Sequence, residues 1–174
     1  MNGILLMIPL FVIRFTLLSL VNQAAVKRAA FFPPTEGNEK IAHIFYQLSN
    51  IFLILYPVLL KVEWQLPLVI IAGFIYLIGI LLLVMSTLAF AKPAASGINT
   101  QGIYKISRNP MYLAYFSYFL GCVLLTKSVV LLVALVIFQL TTHWLILSEE
   151  RWCIAEFGEE YLKCSPLSIR SVFG

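Results

Sequence analysis

Long apolar stretches recur along the chain, and each has the length of a membrane-spanning helix. A helix that crosses the hydrocarbon layer of a bilayer needs about 20 mostly apolar residues. Three stretches in the first half of the chain meet this length: residues 3–22, which contain Arg14, residues 41–60, and the charge-free residues 66–91. The pattern therefore predicts three spans in this half of the chain.

A fourth apolar stretch, residues 111–147, is too long for a single span. Its polar break is Thr-Lys-Ser at 126–128, so we expect two helices, 111–126 and 128–147, folded back as a hairpin. The expected fold class is all-α: a polytopic membrane protein with about five transmembrane helices, the last two a hairpin, and a short cytoplasmic helical tail. We expect residues 1–174 to form one membrane-embedded domain.

Composition agrees with a lipid environment. Of the 174 residues, 61% are hydrophobic and only 11% are charged, whereas soluble domains are about 25% charged. The N-terminal stretch lacks the basic region and cleavage site of a signal peptide, so we expect a retained first span. The scattered basic residues predict no nucleic-acid partner, and the widely spaced cysteines predict no metal site.

The basic residues also predict an orientation. With five spans, one side of the membrane receives residues 23–40, residues 92–110 and the C-terminal tail, which together carry nine Lys and Arg. The other side receives Lys61 and Lys127. Because cytoplasmic loops are enriched in Lys and Arg, we expect a multi-pass integral membrane protein whose 92–110 loop and C-terminus are cytoplasmic.

The first of two polar clusters on this side is GIYKISRNPMY, residues 102–112. Arg108 carries a permanent charge and can bind a carboxylate through two hydrogen bonds. Pro110 suits the first turn of a helix, and Asn109 suits the N-cap before it. We expect Arg108 and the free N–H groups of this turn to bind an anion. The alternative is that Arg108 is an interfacial residue that extends its charge to water.

The second cluster, EERWCIAEFGEEY at 149–161, is expected to continue the last span as a helix. Glu150, Cys153 and Phe157 recur at helical spacing, with Ile154 on the same face. Gly158 should end the helix. Amphipathic helices on lipid surfaces favour Lys and Arg, whereas this one is acidic. It could lie on the membrane surface, but its charge favours pairing with the basic loop or with a cationic ligand.

Taken together, the clusters resemble the isoprenylcysteine carboxyl methyltransferase and phospholipid methyltransferase superfamily of integral membrane enzymes. The family pattern is G-x-Y-x-x-x-R-[HN]-P-x-Y, a helical hairpin, and then E-E-x-x-L-x-x-x-F-G-x-x-Y. Asn109 replaces the histidine of the carboxyl methyltransferase branch, and Cys153 replaces the leucine. The resemblance covers roughly residues 70–165, and the matching positions are Gly102, Tyr104, Arg108, Asn109, Pro110, Tyr112, Glu149, Glu150, Phe157, Gly158 and Tyr161.

This resemblance implies that S-adenosyl-L-methionine is the cofactor, held in a cytoplasmic region formed by residues 92–112 and 148–174. The tail would cap this region, and the acceptor would enter through a gap between helices. Arg108 and Glu150 are the implied catalytic residues. The cofactor-binding set consists of the motif positions other than Gly158, together with Leu113 and His143: Gly102, Tyr104, Arg108, Asn109, Pro110, Tyr112, Leu113, His143, Glu149, Glu150, Phe157 and Tyr161.

The chemical groups of this cofactor suit the residue types in the two clusters. Arg108 suits its carboxylate, and Glu149 or Glu150 suits its ammonium. Aromatic rings suit its adenine or its cationic sulfonium. The rings available for this are Tyr104, Tyr112, Phe157 and Tyr161.

For some polar residues inside the apolar stretches, both a functional and a structural role remain open. Arg14 either is functional, as charges inside spans usually are, or marks a tilted and shifted span. His143 either contacts the cofactor or is a buried histidine bonded to a neighbouring helix, and His43 is expected to be a polar residue near a span end. Gly73 and Gly79 are expected to allow close helix packing.

The expected function is therefore an isoprenylcysteine carboxyl methyltransferase-like enzyme that transfers methyl to a membrane lipid or a lipidated acceptor. O-methylation of a carboxylate, which needs no base, is the preferred reaction. The residues do not choose between the acceptors, so N-methylation of a phospholipid, with Glu150 as the candidate base, stays open. A small non-enzymatic membrane protein is the alternative of another class.

Overall fold

The computed structural model describes residues 2–29, 31–37, 39–92, 99 and 102–158. This part of the chain is helical, with a single β-bridge between Asn2 and Lys61, so the all-α prediction is confirmed. The helices within these residues are α1 Gly3–Val21, α2 Gln23–Ala29, α3 Glu39–Leu55, α4 Leu68–Ala91, α5 Pro110–Thr126 and α6 Val129–Phe157.

Four helical stretches in the described residues are long and apolar enough to cross a membrane: Gly3–Val21, Glu39–Leu59, Leu68–Ala91 and Val129–Phe157. The second of these combines α3 with a 3-10 turn. The predicted fourth span corresponds to α5, an apolar helix of 17 residues, which is shorter than the usual spanning length.

The predicted boundaries of α5 and α6 have clear local causes. Pro110 occupies the first turn of α5, and Asn109 stands at the N-cap, although its side chain makes no capping hydrogen bond. Ser128 caps α6 by accepting a hydrogen bond from the Leu131 N–H at 3.2 Å. Gly158 ends α6 with a φ of 56°, a left-handed value that glycine adopts without strain.

The last span continues as a helix into the acidic cluster, as the sequence predicted, and Phe157 is its last residue. Together they form one helix, α6, of 29 residues. At 1.5 Å per residue, this helix is about 43 Å long, so it extends beyond a hydrocarbon layer of about 30 Å. The predicted helical tail therefore begins as an extension of α6, and residues 159–174 lie outside the described part of the chain.

Successive long helices run in alternating directions between two ends of the molecule. At one end, the Gly3 N–H donates to the Leu60 carbonyl at 2.8 Å, and the Glu63 N–H donates to the Leu125 carbonyl at 2.9 Å. These bonds join the start of α1, the end of the second stretch and the end of α5. Lys127 pairs with Glu63 at the same end, at 3.3 Å.

The opposite end, which we call the α2 end because α2 lies there, is held by polar bonds to the last carbonyls of α4. Asn22 donates to the Ala91 carbonyl at 2.9 Å, and Arg28 donates to the Phe90 carbonyl at 3.0 Å. The last carbonyls of a helix have no partner within it and carry partial negative charge. A cation and an amide therefore fix α2 against the end of α4.

Two glycines allow α4 and α5 to cross in direct backbone contact. A Cβ atom on Gly79 would lie 2.5 Å from the Cα of Tyr118, and one on Gly121 would lie 2.6 Å from the Cα of Tyr76. The close packing expected at Gly79 is confirmed, whereas Gly73 faces open space and has no such role. The other main helix pair is α3 with α6.

We predict that Gly79→Ala destabilises the protein, because the new methyl group would overlap the α5 backbone. Overpacked sites typically lose about 1–3 kcal/mol. The matched control is Gly73→Ala, which should be neutral or stabilising by about 0.5–1 kcal/mol, since alanine favours helix more than glycine does. Thermal unfolding in detergent micelles measures both changes, and equal melting temperatures for the two variants would contradict this packing.

Candidate functional site

A cavity of about 760 Å³ opens at the α2 end. Drug-sized ligands occupy pockets of about 300–1,000 Å³, so this one is large enough for such a ligand. Its walls come from every helix named above and from the loops between them. The residues that line it include Arg14, Lys27, Arg28, Phe31, Phe32, Tyr46, Asn50, Tyr104, Arg108, Asn109, Pro110, Met111, Tyr112, Tyr115, Glu149, Glu150, Trp152, Cys153 and Phe157.

An ion pair joins the two polar clusters across the cavity wall. The Arg108 Nη1 lies 3.3 Å from the Glu150 Oε1, and the two side chains are 14% and 17% exposed. Because charges this far from water are costly without a partner, the pair holds the segment before α5 against the end of α6. Both groups also line the cavity, so they can bind a polar ligand there.

A second bond connects the same two helices. The Tyr112 hydroxyl donates to the Glu149 Oε1 at 2.6 Å, which places both acidic residues on the side of α6 that faces α5. Each carboxylate keeps further lone pairs for other donors. The cavity therefore contains two adjacent carboxylates that are already positioned by Arg108 and Tyr112.

Aromatic rings form much of the remaining wall. Phe31 contacts Trp152 with ring centroids 5.3 Å apart. Tyr46 contacts Phe32 and Tyr112, each at 6.4 Å. Such rings can stack on a heteroaromatic ligand or contact a cation. The loop that carries Phe31 and Phe32 thus closes one side of the cavity against α3 and α6.

Tyr104 lies in a short 3-10 helix, Gly102–Lys105, between α4 and α5. Burial raises the pKa of its hydroxyl, and the nearby Glu149 carboxylate adds to this effect. The hydroxyl therefore stays protonated at neutral pH and is available as a hydrogen-bond donor in the cavity.

Arg14 reaches the cavity from within α1. Its Nη1 lies 3.2 Å from the Met111 sulfur, and its guanidinium carbon lies 5.8 Å from the centre of the Tyr115 ring. The residue belongs to a π-helical segment, Val12–Leu17, and such irregularities are frequent at functional sites. Of the two sequence interpretations of Arg14, the contact with the cavity favours the functional one.

Just over half of the chain matches a known protein family. The family model of phospholipid methyltransferases matches residues 68–160. The chain belongs to this family. No curated protein and no solved structure shows a significant match.

Membership in the phospholipid methyltransferase family implies methyltransferase activity in a membrane. The matched region contains the first polar cluster, the second cluster up to residue 160, and the α5–α6 pair. The other walls of the cavity lie before this region, on α1, α2, the following loop and α3. The family region therefore supplies the paired charges, and the N-terminal helices complete the enclosure.

The structure places most of the predicted site residues around this one cavity. Eight of them line it: Tyr104, Arg108, Asn109, Pro110, Tyr112, Glu149, Glu150 and Phe157.

The remaining predicted residues lie elsewhere. Leu113 and His143 line a second cavity of about 400 Å³ between α5 and α6, which shares Asn109, Tyr112 and Glu150 with the first. Gly102 lines neither cavity and instead adopts a φ of 61° at the start of the 3-10 helix. Tyr161 lies outside the described residues. On the predicted face of α6, Ile154 is 44% exposed and does not share the cavity with Cys153 and Phe157.

Sequence reasoning missed several lining residues. Tyr46 and Asn50 are polar positions four apart on the second predicted span, and this spacing is the signal that could have placed them on one helix face. The paired aromatic residues Phe31 and Phe32 precede two prolines, which could have indicated a loop folded over a site. Trp152 belongs to the acidic cluster but was left out of the predicted set.

Proposed function

We propose that the chain is an integral membrane methyltransferase that uses S-adenosyl-L-methionine and acts on a lipid or lipidated acceptor, with O-methylation of a carboxylate preferred. The observation that supports it most is the convergence of Arg108, Glu149 and Glu150 with aromatic rings in one cavity at the helix ends. The family supports the methyltransferase class.

The residues in the cavity fit the groups of this cofactor. Arg108 would hold the carboxylate, together with the uncapped N–H groups at the start of α5. Glu149 and Glu150 would share the ammonium, and the rings of Tyr104, Tyr112 and Phe157 would face the adenine or the sulfonium. When bound, the cofactor supplies a methyl group that is already activated.

The chain's own contribution is therefore alignment and exclusion of water. The pairs Arg108–Glu150 and Tyr112–Glu149 fix the polar groups before a ligand arrives. A carboxylate acceptor is ionised at neutral pH and requires no base, whereas an amine must lose a proton. Both acidic residues already have a protein partner, and this favours the carboxylate.

Phospholipid N-methylation is the second candidate, and the family description is consistent with it. In that reaction Glu150 is the proposed base, since it lines the cavity beside Asn109 and Tyr112. A non-enzymatic membrane protein gains no support from a methyltransferase family.

We also propose that five helices cross the membrane and that the α2 end is cytoplasmic. The alternating directions of the helices require α5 to cross, and its 17 residues extend over about 26 Å, close to the hydrocarbon thickness of about 30 Å. Among the described residues, seven Lys and Arg lie at or beside the α2 end: Lys27, Arg28, Lys40, Lys92, Lys105, Arg108 and Arg151. Two lie at the other end, Lys61 and Lys127. Cytoplasmic loops are enriched in Lys and Arg, so this difference supports a cytoplasmic α2 end.

We predict that Arg108→Ala and Glu150→Gln each weaken binding of S-adenosylhomocysteine by about tenfold or more, because hydrogen bonds between charged groups are worth about 1.5–3 kcal/mol. Isothermal titration of the purified protein measures this. The matched control is Arg151→Ala, which breaks a 2.7 Å ion pair with Glu39 outside the cavity lining. Wild-type affinity in both cavity variants would refute the site, and no binding by the wild type would refute the function.

The preferred chemistry predicts a base-labile product. Membranes containing the protein, given S-adenosylmethionine with a radiolabelled methyl group, should yield a lipid-soluble product that loses its label in mild alkali, because methyl esters hydrolyse. Membranes containing Arg108→Ala provide the background. Label that survives alkali would contradict O-methylation and favour the N-methyl candidate.

A further inference from the structure

Arg14 carries a permanent charge inside a membrane-spanning helix, and none of the ion pairs within the described residues includes it. It lies seven residues before the end of α1, or about 10 Å along the axis. Its contacts are the Met111 sulfur and the Tyr115 ring, neither of which carries a negative charge. Charged side chains at this depth usually face a cavity and have a partner there, so the site calls for an anion.

The charge of the whole cavity points the same way. Its described lining contains four basic side chains, Arg14, Lys27, Arg28 and Arg108, against the two carboxylates Glu149 and Glu150. The positive charges therefore exceed the negative ones by two. A bound S-adenosylmethionine would add a net positive charge, so an anionic second ligand is electrostatically complementary to the cavity.

The two arginines that reach the cavity have different surroundings. Arg108 forms an ion pair with Glu150 at the end of α6, whereas Arg14 approaches from α1 and contacts the first turn of α5 through Met111. Tyr46 and Asn50 line the cavity from α3. Two cations in separate surroundings can bind two anionic groups. One is the carboxylate of the cofactor, and the other is the anionic group of a second molecule.

We propose that Arg14 binds the anionic group of the acceptor, and that the acceptor is therefore a lipid whose polar end carries a carboxylate or a phosphate. This inference rests on the proposed function and adds a specificity residue to it. A carboxylate held by Arg14 would itself be the methylated group. A phosphate held there would anchor a phospholipid whose neighbouring amine is methylated.

The depth of Arg14 gives this assignment a geometric reason. The Arg14 backbone lies about 10 Å inside the end of α1, but its guanidinium contacts Met111 in the first turn of α5. The charge therefore lies close to the α2 end, where a lipid acceptor would place its polar end while its chains stay in the membrane. Arg14 also lies outside the region matched by the family model, residues 68–160. Arg14 on α1 can therefore determine which acceptor binds, while Arg108 and Glu150 in the family region stay the same.

The test measures binding of two acceptor probes to the full chain in neutral maltoside micelles, which contain no phosphate. The carboxylate probe is N-acetyl-S-farnesylcysteine, with its uncharged methyl ester as the matched ligand, and the phosphate probe is a short-chain phosphatidylethanolamine. Binding of S-adenosylhomocysteine is titrated in parallel. If the wild type does not bind it, the proposed function fails, and this result is distinct from a failure of the present inference.

We expect Arg14→Gln to raise the Kd of one of the two probes by about tenfold or more, to leave the Kd of S-adenosylhomocysteine within about twofold, and to be partly rescued by Arg14→Lys. If the carboxylate probe is the one affected, its methyl ester should bind the wild type as weakly as the acid binds Arg14→Gln. Arg151→Gln controls for the loss of a surface charge.

Three outcomes would overturn the inference. The first is that the wild type binds neither probe, and the second is that Arg14→Gln changes the affinity of neither. The third is that Arg14→Gln weakens S-adenosylhomocysteine as much as the probes, which would assign Arg14 to the cofactor. If Arg14→Gln does not fold, Arg14→Lys decides the question. Weaker binding of one probe with unchanged affinity for S-adenosylhomocysteine supports the inference, and unchanged affinity for both probes overturns it.

Discussion

The ion pair between Arg108 and Glu150 is the constraint on which the site depends. It joins segments 42 residues apart at 3.3 Å, at the point where α5 and α6 leave the apolar part of the molecule. Neither charge is stable in that position alone, because burial without a partner is costly. Their pairing therefore fixes the relative position of the two helix ends, and the bond from Tyr112 to Glu149 is made in the same place.

Around this pair, the molecule combines a family region with an enclosure built by the preceding helices. Residues 68–160 match the phospholipid methyltransferase model and contain the paired charges. The cation of Arg14 and the loop with Phe31 and Phe32 come from before that region. Arg28 and Asn22 fasten α2 to the end of α4, so the enclosure is attached to the family region by bonds that satisfy otherwise unpaired carbonyls.

Much of this arrangement could be predicted from the sequence, because its signals are local. The lengths of the apolar stretches predicted the long helices. Pro110 and Gly158 predicted where α5 begins and where α6 ends, and the two polar clusters predicted the charged residues of the site. The contacts of Arg14 depend on how α1 crosses α5, and periodicity says nothing of such crossings. The role of Gly121 was missed for the same reason: a glycine that touches another helix backbone has the same local sequence signature as one, like Gly73, that faces open space.

We propose that one cavity at the α2 end holds the methyl donor between the paired charges of α5 and α6. An experimental structure of the full chain in a lipid nanodisc with S-adenosylhomocysteine is the decisive measurement. We expect the amino-acid end of the ligand to contact Arg108 and Glu149 or Glu150, and its adenine to lie against the aromatic wall. Density for the ligand at the opposite end of the bundle, or in contact with neither Arg108 nor the two acidic residues, would contradict it.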